Sequence, residues 1–257
     1  MGAAMVHVLF SRWRAIVALP VAALIGVPVV LAVRAPAEAG PPAQAAEAGP
    51  PAPAPAAVAP EAAGSHARHG GAPLTPRTAR QVAFHDTMRR LWTDHVLWTR
   101  LAIADFAGGS PRFDATAARL LRNQADIGDA VKPYYGRARG ARMTALLREH
   151  IVIAVELLQA AKAGDAAAVA AIRARWNANA NDIADFLAAA NPRWWRQAAL
   201  RAAMRTHLDQ TLTEATHELT GDFTAGVADY EEIQAHILAM ADLLSSGIIR
   251  QFPHRFR

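Results

Sequence analysis

Cysteine is absent from all 257 residues, which removes disulfides, lipoprotein attachment and thiol chemistry together. Strand patterning is also missing: no window alternates apolar and polar residues between hairpin turns, so a sheet is not expected. Nucleophilic catalysis finds no support, because Ser110, Ser245 and Ser246 stand alone, outside any recognisable triad spacing. There is no His-x-x-x-His pair and no Asp-x-Asp motif. Cationic runs are lacking too. From residue 77 onward, 23 Lys and Arg face 19 Asp and Glu, spread along every segment, so a nucleic-acid partner is not expected.

What is present divides into three parts. Arg12 and Arg14 precede an uncharged run from Ala15 to Val33, which Arg34 ends. At a helical rise the run reaches about one hydrocarbon thickness. It reads as a signal peptide or a retained N-terminal membrane anchor over residues 1–34, and Ala37-Glu38-Ala39 would serve as a cleavage site. Either way the chain is expected to be exported, to be secreted or membrane-anchored, and to meet the membrane through this segment if it is uncleaved. Residues 35–76 then reduce to Ala, Pro, Gly and a few Glu. Such a stretch buries too little apolar surface to offset its ordering entropy and is expected to be a disordered linker. His66 and His69 within it read as solvated.

Residues 77–257 read as all-α. Apolar residues recur three and four apart in six stretches, from Phe84 to Ala102 in the first to Ile233 to Leu243 in the last. The expected architecture is a six-helix bundle of three antiparallel hairpins. The reason is an internal repeat. Asn123 to Val131 (NQADIGDAV) returns as Asn179 to Leu187 (NANDIADFL) and again as His236 to Leu244 (HILAMADLL), at intervals of 56 and 57 residues. His95, His150 and His207 keep nearly the same beat, and each is followed 14 residues later by a glycine, Gly109, Gly164 or Gly221. A period near 55 with helical patterning means one supersecondary unit used three times.

In a hairpin with a short turn, residues equally far from the turn lie level. This places His95 opposite Asn123, His150 opposite Asn179 and His207 opposite His236, all on inward faces. Asp126 and Asp182 sit one turn away. A buried imidazole is costly unless hydrogen-bonded, which leaves three readings. The layer is a metal site with His95, His150, His207 and His236 as ligands and Asn123, Asp126, Asn179 and Asp182 around them; four imidazoles suit Zn or Cu better than Mg or Ca. Alternatively it is an apolar pocket with a polar tip for a small ligand, or a purely structural set of hydrogen bonds. Exchange of Asn for His in the third repeat favours the metal, a stronger ligand replacing a weaker one. Asp129, Asp185 and Asp242 fall level with helix starts bearing Arg89 and Arg201, and interhelical salt bridges account for them. Proline and aromatics end each hairpin, as in Pro133-Tyr134-Tyr135 and Pro192-Arg193-Trp194-Trp195, and are expected to form a lid on the core.

The strings LWTDHVLWTR (Leu91 to Arg100), LLRNQADIGDAVKPYYG (Leu120 to Gly136) and GIIRQFP (Gly247 to Pro253) resemble the uncharacterised secreted helical proteins of actinobacteria and some other bacteria. Relatives in that family sometimes carry a glycosyltransferase label. The resemblance implies a helical, exported domain and supplies no catalytic residues to carry over. The expected function is therefore binding of a metal ion or small ligand through the buried His/Asn/Asp layer. A cell-envelope enzyme and a ligand-free interaction module are the alternatives.

Overall fold

The computed structural model describes residues 73–257, and the apolar run and most of the Ala/Pro-rich stretch lie outside them. Every regular element among the described residues is helical: α1 (Ala79–Ala107), α2 (Phe113–Lys162), α3 (Ala166–Ala190), α4 (Gln197–Thr220), α5 (Phe223–Gln251) and a final 3-10 turn (Pro253–Phe256). None of them is long and apolar enough to cross a membrane.

Local chemistry sets these boundaries. Thr78, Asp165 and Asp222 cap α1, α3 and α5, each side chain accepting the backbone N–H three residues on, which satisfies one of the orphan donors of a helix start. The turns between helices close on Gly109, Gly164 and Gly221, whose φ values of 64°, 70° and 81° suit a residue without a Cβ.

Five helices appear where six apolar stretches were expected, because the second and third belong to one element. Pro133 withholds a backbone donor, and Gly136 then leaves helical geometry at φ 85°, ψ 165°. There α2 folds back on itself as two limbs, residues 113–135 and 137–162. A Cβ on Gly128 would lie only 2.7 Å from the Gly140 carbonyl, and the Arg148 guanidinium donates to the Leu121 carbonyl. Only glycine permits backbones this close.

The helices close into a ring. α1 packs on α2 and on α5, α2 on α3, α3 on α4, and α4 on α5. The core along this ring includes Met88, Ile127, Met143, Leu146, Ile183, Leu200, Ile237 and Ile248, all essentially inaccessible. One end is sealed by the expected aromatic lid: Phe84 meets Tyr134 edge-on at 4.9 Å, and Tyr134 stacks on Phe256 at 5.2 Å. Trp195 lies over Gly247, with its indole N–H donating to the Leu243 carbonyl. The fold begins slightly earlier than residue 77. Leu74 packs on the core and donates its N–H to Ser246, and Thr78 donates to the Phe256 carbonyl. The first and last residues of the domain therefore meet at the lid end.

Two of the expected interhelical ion pairs are present, Arg89 with Asp242 across α1 and α5, and Arg201 with Asp185 across α3 and α4. Asp129 instead pairs with Lys132 of its own helix. At that junction the position corresponding to Arg89 and Arg201 is Thr144, which fills the space beside Gly128.

Candidate functional site

His95 on α1, His150 on the second limb of α2 and His207 on α4 meet at the bundle axis. All three are buried. Ring centroids lie 5.6 Å apart for His95 and His207, and 6.3 Å for His150 and His207. Trp92 stands edge-on to His95 at 5.7 Å, and Trp176 stacks on His150 at 5.2 Å.

Two amides fix the proton positions on two of these rings. Asn179 donates its Nδ2 to the Leu146 carbonyl, so its Oδ1, 3.0 Å from His150 Nδ1, accepts from that nitrogen. His150 Nε2 then carries a lone pair. Gln124 presents its Nε2 to His95 Nδ1 at 3.3 Å, so that nitrogen accepts and His95 Nε2 carries the proton. His207 thus neighbours one ring whose remaining nitrogen donates and another whose remaining nitrogen accepts. Its own Nδ1 is buried without a hydrogen-bond partner, and so are Gln124 Oε1, Trp92 Nε1 and Trp176 Nε1.

Burial disfavours the charged form of all three imidazoles. His95 is pushed down to about 3, first by burial and then by the charge His150 would carry. His150 is pushed down to about 4 by burial, against the opposing effect of its bond to Asn179. His207 falls well below the ordinary imidazole range through burial and then through His95, His150 and His236. At neutral pH the layer is uncharged, the form in which imidazole accepts a hydrogen bond or a metal.

The other expected site residues take different places. Asn123 is fully buried and donates to the Leu91 carbonyl. Asn179 donates to Leu146, and His236 places its Nε2 3.0 Å from the Ala203 carbonyl. Each of these carbonyls lies four residues before a layer histidine, so all three side chains serve the same main-chain position on a partner helix. His236 is half-buried, and the nitrogen it turns to Ala203 donates a hydrogen bond there. Asp126 is outside the layer, with a carboxylate 3.9 Å from Arg119, and Asp182 is exposed. Among the described residues, no group of three or more His, Asp or Glu side chains is arranged to hold a metal ion.

One helical turn beyond the histidines, none of which lines it, lies a cavity of about 50 Å³, almost wholly apolar. Thr99, Ala154 and Thr211, each four residues after a layer histidine, line it. Ile151, Leu157 and Ala215 continue its wall, and Trp176 joins it to the His150 ring. Its outer rim includes the exposed Thr216 and the half-buried Phe113 and Leu219, so it reaches the surface at the glycine-turn end. The two threonine hydroxyls are turned to the carbonyls of His95 and His207, which leaves their methyl groups for the cavity. No family model, curated protein or solved structure matches this chain.

The sequence reading passed over Gln124, although it lies on the same inward stripe as Leu120 and Ile127. It also passed over a second buried polar group. Glu214 and Glu218 of α4 are nearly inaccessible and share Arg100, whose Nη1 lies 2.7 Å from Glu214 and whose Nη2 lies 3.4 Å from Glu218. The same guanidinium donates to the Gly226 carbonyl and lies over the Tyr230 ring, and His217 pairs with Asp229 beside it. Burial lifts Glu214 to about 7, against the pull of Arg100 and with the neighbouring carboxylates adding to the rise. The legible signal was a Glu-x-x-His spacing, Glu214 to His217, with Glu218 one turn from Glu214.

Proposed function

We propose that this chain is an exported helical-bundle protein that binds a small, largely apolar ligand in its axial cavity, with the imidazole layer as the polar floor. The observation that carries this reading is the cavity's position. Each of the three segments that supplies a layer histidine also supplies its wall one turn further on, so pocket and floor are one construction. Binding sites of this kind are apolar with a few convergent polar groups. Four buried polar atoms without partners belong to the layer and the side chains packed on it, and of these residues Trp176 also lines the cavity; each such atom costs on the order of 1–3 kcal/mol when left unpaired. A ligand hydroxyl or carbonyl at the floor would recover part of that cost. At about 50 Å³ the space suits a short aliphatic group, being about a third of the roughly 150 Å³ dry cavity that accepts benzene.

The fold reading that accompanies this proposal is three copies of one hairpin around the axis, with the two limbs of α2 counted as separate helices. It is supported by the three equivalent bonds from Asn123, Asn179 and His236 to carbonyls four residues before the histidines. The uncharged run from Ala15 to Val33 supports export, with the domain released or held at the membrane by that run.

A divalent metal, Zn or Cu, at the same layer is the second reading, favoured by two neutral imidazoles, His95 and His150, with ring centroids 5.6 and 6.3 Å from that of a third, His207. His150 offers a free Nε2. His95 would join it if the Gln124 amide turned, so that its unpartnered Oε1 accepted from Nδ1.

Calorimetric titration of the full chain with short aliphatic alcohols, and separately with Zn and Cu, distinguishes the two. The cavity reading predicts saturable alcohol binding that Ala215→Leu abolishes by filling the wall. Metal binding retained in Ala215→Leu, with no alcohol binding to wild type, would replace it with the second reading. Binding of neither would leave the layer structural.

A further inference from the structure

The arginines that form no run along the chain are gathered by the fold. The segments 73–85, 133–147, 186–200 and 243–257 contain ten arginines and not one Asp or Glu. The aromatic lid holds all four together: Phe84, Tyr134 and Phe256 are in ring contact, and Tyr135 reaches Trp195 and Phe252. Segments 103–116, 158–170 and 214–232, around the glycine turns at the opposite end, carry nine acidic residues against one Arg and one Lys. The domain is therefore charged oppositely at its two ends.

Nine of these ten arginines form no ion pair among the described residues. Arg89, Arg100, Arg119 and Arg201, further along the helices, all bind carboxylates. The nine, which are those in the first three acid-free segments with Arg255 and Arg257, are all exposed. Self-repulsion among so many like charges is kept only at a cost in stability, which an external anion offsets.

We propose that this end of the bundle docks on the surface of an anionic lipid bilayer. Three features select lipid over other polyanions. The domain's first described residues leave from this same end, where Leu74 and Thr78 are tied to Ser246 and Phe256, and upstream of them stands the uncharged run from Ala15 to Val33. The basic end is therefore the end at which the chain continues back toward that run. Trp194 is half-buried, with Arg193 and Arg250 at 5.2 and 4.9 Å from its ring, a pairing of indole and cation suited to the headgroup level. Finally, Phe84, Tyr134, Tyr135, Trp195, Phe252 and Phe256 at this end pack on one another in the lid rather than standing open as a platform on which nucleic-acid bases would stack.

The absence of cysteine allows a direct test on the full chain. An environment-sensitive fluorophore is coupled through Ala138→Cys at the basic end or, as control, through Thr224→Cys at the acidic end. Both proteins are reconstituted into phosphatidylcholine vesicles with and without phosphatidylglycerol. The expected result is a blue shift at position 138 only with the anionic lipid, reversed when salt is raised from about 0.1 M to about 0.5 M, and no shift at position 224. Replacing Arg137, Arg139, Arg142 and Arg255 by Gln should lower the ratio of docked to free domain by at least about tenfold, while the same four changes to Lys should preserve it. Equal shifts in both vesicle types, or shifts at both positions together, would overturn the proposal. So would a larger shift at position 138 with a DNA duplex than with anionic vesicles.

Discussion

Acidification from about pH 7 to about pH 5 is expected to destabilise the domain through its histidine layer. In the folded state burial holds His95 at about 3 and His150 at about 4, whereas in the unfolded chain both return to about 6.5. Between those values the unfolded chain binds more protons than the folded one. Stability is therefore fully present above about pH 6.5 and is lost as pH falls toward the folded values. For His95 and His150 together the loss over this interval is about 4 kcal/mol, and His207, lowered in the same direction, adds to it. Glu214 acts oppositely. Its folded value near 7 lies above that of a free carboxyl, so its protonation returns about 2 kcal/mol over the same interval. A net loss remains. Urea unfolding of wild type and of His95→Gln at several pH values measures it, and the variant's slope should be shallower by about 1.4 kcal/mol per pH unit, one proton's worth. Identical slopes would refute the reasoning, because His95 would then titrate alike in folded and unfolded chains.

Four further outcomes are expected. Glu214→Gln should steepen the rise in stability between about pH 4.5 and pH 8 by about 3 kcal/mol, the opposing contribution that Glu214 makes in wild type, measurable in the same unfolding series. Gly128→Ala should cost about 1–3 kcal/mol, since the new methyl would meet the Gly140 carbonyl and the Thr144 hydroxyl; thermal unfolding reads it. Asn179→Ala should cost about 2–3 kcal/mol by leaving His150 Nδ1 and the Leu146 carbonyl without this partner, which denaturant unfolding would detect. His236→Asn should stay within about 1 kcal/mol of wild type because Asn123 and Asn179 make the equivalent bond, whereas His236→Leu should not; paired melting curves decide it.

The all-helical content was legible in the apolar spacing, and several helix boundaries in the turn residues. The glycines at 109, 164 and 221 mark turns, and the inward histidines sit at one depth because each stands 14 residues before its glycine. The join at Gly136 was harder to read. Pro133 suggested a stop, but the chain turns three residues later, where a glycine adopts positive φ. The site was legible in part. Level placement foretold that His95, His150 and His207 would converge, but not that Asn123 and His236 would turn to main-chain carbonyls. Those bonds depend on side-chain reach across a helix pair, which spacing does not encode. His236 shows the consequence: read as a stronger ligand replacing Asn, it makes the same kind of bond to a carbonyl. The charged ends were invisible for a different reason. Arginines separated by dozens of residues become neighbours only when alternate helix ends meet, so the chain reads as evenly basic while the domain is not.

The central claim is that a neutral imidazole floor and the cavity beyond it form one binding site. Imidazole nitrogen NMR of uniformly labelled protein at neutral pH, recorded with and without a saturating short-chain alcohol, tests it most directly. The account predicts protonated nitrogens at His95 Nε2 and His150 Nδ1, no imidazolium among the three, and a shift at His207 on addition of alcohol that Ala215→Leu eliminates. Imidazolium signals from the layer, or histidine resonances that ignore the alcohol while it binds elsewhere, would contradict it.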